Sequence, residues 1–472
     1  MSRRPFGECS ADIACGKLAP GLAYISRTIT HDLLTSIRTS KMTAARNSRT
    51  SPPVSDPRAW RVLWSSTFAF TICFAIWMMF AILGIPLTQQ LGLTDTEFGM
   101  IAATPVLSGS LARVPLGMCT DRFGGRVVFL LTMLATVVPL WLISHATAFW
   151  QFIVLGLLVG LAGACFSIGT PYVARWFPKS RQGFAMGIFG AGNSGAALTK
   201  FVAPVLIVAA GTWTVVPKVY SVAMLVTALA FWLTSASDPR HRMPKAAGAG
   251  RSPGVLTDPR AWRYSQYYSV VFGGYVGLAL WMPHYYVNHY GFSIERAALL
   301  AACFSLPGGV LRALGGWLSD RFGAYRTTWA VMWIVFACFF VLSYPETELA
   351  VSSANGPLRF GIALSPGVFT VLMFVVGIAM AIGKASVFKF ISDDYTDNIG
   401  AVSGVVGLSG GLAGFALPIL FGALVDLTGV HSTCFMLLFG ATAISLVWMH
   451  FSFRSIGVAH ASSKLASRHG AV

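Results

Sequence analysis

Apolar runs of helical length recur along the chain, for example at 127–143, 149–169 and across 331–342 with its flanks, and Gly or Pro interrupts many of them. Barrel strands would instead alternate apolar and polar positions over about ten residues. Runs long enough to cross a bilayer number about twelve, six in each half of the chain. The polar stretches between and beyond them divide it into a polar extension over 1–58, a first half over 59–236, a linker over 237–262, a second half over 263–454 and a tail over 455–472. The pattern predicts an all-α integral membrane protein with two pseudo-symmetric halves of six helices.

The halves echo each other in sequence. Asp56-Pro57-Arg58-Ala59-Trp60-Arg61 returns as Asp258-Pro259-Arg260-Ala261-Trp262-Arg263, and Arg113 with Asp121-Arg122-Phe123-Gly124 returns as Arg312 with Asp320-Arg321-Phe322-Gly323. A spacing of roughly 200 residues is too long for a solenoid unit and fits two homologous transporter halves. An even number of spans separates the two copies, so both lie on one face. The repeats are therefore parallel and related by an axis along the membrane normal, which places a cavity between them.

Composition agrees: 55% of residues are hydrophobic and 11% charged, where a soluble protein would carry about 25% charged residues. The formal charge of +17 does not indicate nucleic acid, because the cations sit in alternate short loops. Arg122 and Arg126, Arg175 to Arg181, Arg240 to Arg263, and Arg321 with Arg326 occupy one set; Asp95, Glu97, Glu295, Glu346, Glu348 and Asp426 occupy the other. By the positive-inside rule the basic loops and both termini are cytoplasmic, in a multi-pass protein of the cytoplasmic (inner) membrane. The extension over 1–58 reads as disordered; residues 18–25 are too short an apolar run for a signal peptide, and Met42 is an alternative start. The eight cysteines are scattered, and Cys9 with Cys15 lacks ligand spacing, so neither a disulfide framework nor a metal or cofactor site is expected.

Arg113 and Arg312 each precede the loop aspartate by eight residues, about 12 Å of helix, which puts both near the bilayer midplane. An unpaired cation there costs at least about 2.5–3.5 kcal/mol, so it should face a cavity and an anionic partner. All seventeen Asp and Glu residues fall in predicted loops, ends or tails, which leaves the substrate as the counter-ion. Two guanidinium forks suit a small planar or tetrahedral oxyanion. Gly187, Gly190, Gly192 and Gly195 surround Asn193, and Gly404, Gly407, Gly410, Gly411 and Gly414 occupy the corresponding stretch of the second half; such spacing lets helices pack closely, whereas packing does not require Asn193. Lys200 and Lys384 lie at depth and are candidates either for proton carriage or for added positive potential. Lys389 lies nearer the basic face and should snorkel.

The stretches Gly117 to Arg126 and Gly316 to Gly323 resemble the loop motif of the major facilitator superfamily, in which acidic and basic residues latch the cytoplasmic gate; this assigns Asp121, Arg122, Arg126, Asp320 and Arg321 to that gate. Gly187-Ile-Phe-Gly-Ala-Gly-Asn-Ser-Gly195, continuing to Pro204, and Gly404 to Pro418 resemble the paired signatures of the nitrate/nitrite porters. The resemblance implies that Arg113 and Arg312 bind the anion beside Phe166, Tyr268 and Phe272, and Asn193 is expected to order the end of the site next to its own helix. The run Ala196 to Pro204 and the lysines at 384 and 389 resemble the branch assigned to nitrate–proton symport.

Importing a univalent anion against a negative-inside potential costs roughly 2.3 kcal/mol per 100 mV, so coupling is required. The expected function is nitrate import by proton symport with alternating access. The alternative is nitrate/nitrite exchange at the same site, and a non-transporting anion sensor ranks below both. The expected partners are nitrate, nitrite, protons and membrane lipids, with the monomer as the working unit. An enzyme is the least supported class: the chain has no HExxH, and His145, His284 and His289 are expected at helix ends.

Overall fold

The computed structural model describes residues 57–237, 257–353, 356–395 and 399–469, with side chains described as far as Ser452. Most of the extension, Met42, most of the linker and the last residues of the tail lie outside the described residues. The chain folds into helices α1 (Pro57–Trp77), α2 (Phe80–Leu91), α3 (Asp95–Leu111), α4 (Arg113–Phe123), α5 (Gly125–Ile143), α6 (Phe149–Val159), α7 (Cys165–Ala174), α8 (Lys179–Gly190), α9 (Gly195–Ala210) and α10 (Val215–Thr234). The second half holds α11 (Pro259–Tyr268), α12 (Gly274–Tyr290), α13 (Ile294–Val310), α14 (Arg312–Phe322), α15 (Ala324–Leu342), α16 (Pro366–Asp394), α17 (Ile399–Thr428) and α18 (Thr433–His469).

Among the described residues nine helices are long and apolar enough to cross a membrane, and α13 with α14, bent by 48°, makes a tenth. Two further helix pairs, α3–α4 and α11–α12, lie where the remaining two of the twelve expected spans fall in the sequence. The first is interrupted at Ala112, and the second contains a π-turn over Ser269–Gly273. One element departs from the all-α expectation: an antiparallel hairpin of β1 (Thr347–Ser353) and β2 (Gly356–Ile362) joins α15 to α16. Its strands supply each other's backbone partners in a connection too long for a simple turn.

The pseudo-symmetry extends to backbone detail. Gly124 and Gly323, which close the repeated Asp-Arg-Phe-Gly motif, both adopt φ +87°, with ψ of 144° and 148°. That conformation is open to glycine and strained for other residues, so each motif turns the chain sharply from α4 into α5 and from α14 into α15.

The halves are sealed on the face that carries Asp95, Glu346 and Asp426. Thr94 caps α3 in a capping box with Glu97, and the next two backbone N–H groups, of Asp95 and Thr96, donate to the Asp426 carboxylate of α17 at 3.1 and 2.9 Å. An anion from the second half thus sits on a helix N-terminus of the first, where the helix dipole favours it. Beside it, His284 Nε2 lies 2.5 Å from Asp95 Oδ1, and the imidazole stacks on Phe98 at 3.9 Å. His284 was expected near a helix end; it is buried within α12, because its partner comes from the other half.

Contact between α3 and α17 continues inward through Gly414 against Val106 and Gly411 against Ser110 to Arg113 against Gly407. Beyond that depth Gly117 and Gly404 meet no neighbour within 4 Å of an ideal Cβ, and neither do Gly183 and Gly316 on the other pair of facing helices. The halves therefore part toward the face that carries the basic loops.

This difference is testable at two glycines. A Cβ on Gly309 would lie 2.6 Å from Ser194 N and 2.8 Å from its Cα, backbone that cannot yield cheaply. Gly309→Ala should lower stability by about 1–3 kcal/mol, read as a fall in the melting temperature of the detergent-solubilised protein, while Gly316→Ala should melt as the parent does or higher.

Candidate functional site

Both arginines stand at helix breaks. The α-helical ladder is interrupted at Ala112 and at Leu311, and Arg113 and Arg312 are the first residues of the helices that follow. Each break turns a guanidinium out of its own helix into a cavity between the halves. That cavity is lined by Phe70, Phe74, Arg113, Gly163, Phe166, Asn193, Tyr268, Phe272 and Arg312. All six sequence-derived binding residues are in that lining, and none of the lining residues is acidic.

Each arginine reaches the glycine stretch of the opposite half. Arg113 Nη1 donates to Gly407 O at 3.1 Å, and the side chain of Arg312 passes Gly190, whose missing Cβ would lie 3.5 Å from Arg312 Cδ. Aromatic faces hold the guanidinium planes. Arg113 lies 5.3 Å from the Phe272 ring centroid, and Arg312 lies 5.1 Å from Phe166 and 5.6 Å from Phe388. Cation–π contacts of this kind supply partial compensation for a cation removed from water without consuming its N–H donors. Tyr268 stacks on Phe272 at 5.0 Å and shares the cavity lining with Arg312. Among the described residues, Arg113 Nε and Asn193 Nδ2 are buried donors without a protein partner. Such groups are costly to bury, and both face the same cavity.

The glycines make room for these side chains. A Cβ on Gly410 would strike the Tyr268 ring, and one on Gly192 would strike Phe70. Gly195 admits the backbone of Thr71 to Ala75, and Gly187 lies 3.3 Å from Ala313 by the same measure, so eight of the nine glycines meet a neighbour and Gly404 meets none.

The candidate coupling lysines are both buried and outside the cavity lining. Lys200 Nζ of α9 donates to the Ser305 hydroxyl of α13, across the two halves. Lys384 Nζ of α16 donates to Gly308 O at 2.6 Å and sits 3.4 Å above the Tyr275 ring. Among the described residues, the expected gate residues do not meet across the halves. Asp121 pairs with Arg175 at 2.5 Å, and Asp320 with Lys389 at 3.4 Å, each within its own half. Arg126 donates to Trp232 O at 2.5 Å, while Arg122 and Arg321 lie over neighbouring aromatic rings. Lys389 does not simply snorkel, since it bridges Asp320 and Asp393. The reason is geometric: the halves have parted at this face.

A larger cavity opens on the acidic face around Tyr285, His289, Glu346 and His431. Its lining comes entirely from the second half, so it cannot be the space that alternates between faces. Burial there pulls the His431 imidazole below its ordinary range.

Sequence reasoning missed Phe70, Phe74 and Phe388. The first was within reach, because Phe70 stands as far beyond Trp60 as Phe272 does beyond Trp262. Phe388 had a weaker signal, one helical turn after Lys384.

A family model described as Major Facilitator Superfamily matches residues 65–418 and, in a second match, 297–469. The "Probable nitrate/nitrite antiporter NarK1" of Thermus thermophilus is 40% identical over 84% of this chain and 92% of its own length. The "Nitrite extrusion protein" of Bacillus subtilis is 30% identical over 81% of this chain and 92% of its own. Among solved structures, a point mutant of the nucleoside transporter NupG superposes with a TM-score of 0.65 at 12% identity, over 83% of this chain and all of that one, a likeness of fold alone. Family model, relatives and fold agree with the paired arginines in a cavity between two repeats: the chain is a membrane transporter, not an enzyme, and belongs to the nitrate/nitrite porter family of the major facilitator superfamily.

Proposed function

We propose that the chain imports nitrate by proton symport, with the anion held between Arg113 and Arg312. The observation that carries this reading is a pair of half-buried guanidiniums facing one cavity whose lining contains no carboxylate. The missing charge is supplied by the cargo. Nitrate is planar with three equivalent oxygens, so each fork can donate two parallel hydrogen bonds to it. The flanking rings of Phe166 and Phe272 exclude water from its faces, and Asn193 Nδ2 offers a further donor. The names of the relatives, which include nitrate/nitrite transport and nitrite extrusion, support this choice of anion.

With the basic loops and both termini read as cytoplasmic by the positive-inside rule, the seal at Asp95, His284 and Asp426 lies on the outer side. The arrangement is then inward-facing, and nitrate leaves toward the cytoplasm. Rocking of the halves would break that seal and close Asp121, Arg122 and Arg126 against the opposite half, with Asp320 and Arg321 doing the same from their side. Lys200 spans the interface through Ser305, so its partner must change as the halves rock. That makes it the candidate for the proton-linked step. Two protons per nitrate make uptake electrogenic and favourable against an opposing term of roughly 2.3 kcal/mol per 100 mV. The name of the Thermus thermophilus relative favours a second reading, in which internal nitrite exchanges for external nitrate at the same site.

Proteoliposomes separate the two. An imposed inward proton gradient should drive nitrate uptake without internal nitrite and a protonophore should abolish it; uptake that needs internal nitrite and ignores the protonophore would establish exchange instead. Arg312→Lys removes the fork but keeps the charge, and should lower the ratio of maximal uptake rate to half-saturation by about 10–100-fold at unchanged membrane insertion. Near-normal uptake by that variant would refute the two-arginine site.

A further inference from the structure

We propose that Lys384 is a positioning residue for the anion site: its ammonium caps the carbonyl released where the eighth span breaks and so fixes the turn that aims Arg312 into the cavity. The inference rests on the reading of Arg312 as an anion ligand.

The break leaves backbone groups to be satisfied. Leu311 belongs to neither flanking helix and has ψ +11°; its own N–H donates to Pro307 O. The ladder does not resume until Leu311 accepts from Gly315, so the Gly308 carbonyl has no place in it. In the interior of a membrane protein, such a carbonyl must find a donor within the protein. Lys384 Nζ provides it at 2.6 Å. A cation there also meets the negative end of the α13 dipole, as a basic residue near a helix C-terminus does elsewhere. Tyr275 supports both partners. Its ring lies 3.4 Å beneath the ammonium, its edge fills the space beside Gly308, and its hydroxyl donates to Ser305 O at 2.9 Å, nearly two turns before the break.

The first half shows which part of this arrangement is new. There the ladder is interrupted just before Arg113 in the same way, the Trp77 ring lies against Gly109, and Trp77 Nε1 donates to Pro105 O at 2.7 Å. An aromatic donor at the break is thus common to both repeats. Among the described residues only the second repeat adds a lysine, and burying that cation completely requires the compensation just described. Its charge is also close enough to Arg312 for the two to repel. An anion on Arg312 relieves that repulsion, so the lysine makes the site more receptive to anions while holding its geometry.

The test compares Lys384→Met, which fills similar space without a donor, with Lys384→Arg, which keeps a donor and a charge but cannot release a proton. Both are made in the full-length protein. Hydrogen–deuterium exchange over residues 309–314 reads the turn, and exchange of labelled for unlabelled nitrate across proteoliposomes reads the site. Lys384→Met should accelerate amide exchange across the turn and raise the half-saturation for nitrate by about tenfold or more. Lys384→Arg should return both toward the parent and retain uptake driven by a proton gradient. The inference is overturned if Lys384→Met leaves amide protection and half-saturation unchanged, or if Lys384→Arg exchanges nitrate normally yet loses proton-driven uptake, which would make the lysine a proton carrier. Should Lys384→Arg fail to fold, the methionine variant decides. If the parent protein exchanges no nitrate, the substrate reading fails by itself and the amide-exchange arm alone tests the placement of Lys384.

Discussion

Two guanidiniums held in the middle of a membrane protein, with no carboxylate beside them, constrain everything else in this fold. Each side chain is only partly exposed, so much of the cost of the two charges is met by aromatic faces, by backbone carbonyls and by whatever enters the cavity. Phe272 serves Arg113, and Phe166 with Phe388 serves Arg312. Each helix that carries an arginine is broken at the preceding residue, because a side chain starting a new helical segment can be aimed away from the axis of the old one. Two of the interface glycines follow from the same demand: the Phe70 and Tyr268 rings need the volume that side chains at Gly192 and Gly410 would occupy.

The polar contacts are distributed unevenly between the two faces. On the acidic face Asp95 and Asp426 engage partners in the opposite half, including a helix N-terminus and the buried His284. On the basic face the carboxylates of the repeated motif pair within their own halves, with Arg175 and Lys389. The same chemical groups thus act as inter-half latches at one end and as intra-half staples at the other. A carboxylate near a bilayer surface always has water as an alternative partner, so such pairs are weak enough to exchange when the halves move. Deep contacts of backbone with backbone, such as Gly309 against Ser194, pack the two halves closely.

The repeats are alike in backbone and unlike in charge. Both motifs turn through a glycine at φ +87°, and both breaks are met by an aromatic donor from the span that opens each half. The second repeat adds Lys384 at its break, and Lys200 crosses from the first half to the same turn of α13. One small region of the eighth span therefore gathers contacts from α9, α12 and α16, which makes the Arg312 side of the site more tightly specified than the Arg113 side.

The sequence by itself determined the membrane class and the repeat, because hydropathy and duplication are local or periodic quantities. It named Arg113, Arg312, Phe166, Asn193, Tyr268 and Phe272, which the fold brings to one cavity, as candidate anion-site residues, and the repeat offset would have added Phe70. It could not reach the partner of His284, the halves in which Asp121 and Asp320 find their cations, or the post of Lys384. Those pairings join residues from 54 to 189 positions apart in the chain, across helices whose rotation and tilt are set only when the bundle packs. Composition showed two buried lysines without acids and left proton carriage and electrostatic lining open. Tertiary structure supplied a carbonyl and a ring for one and a hydroxyl of the opposite half for the other, because a broken helix exposes acceptors that no local pattern records.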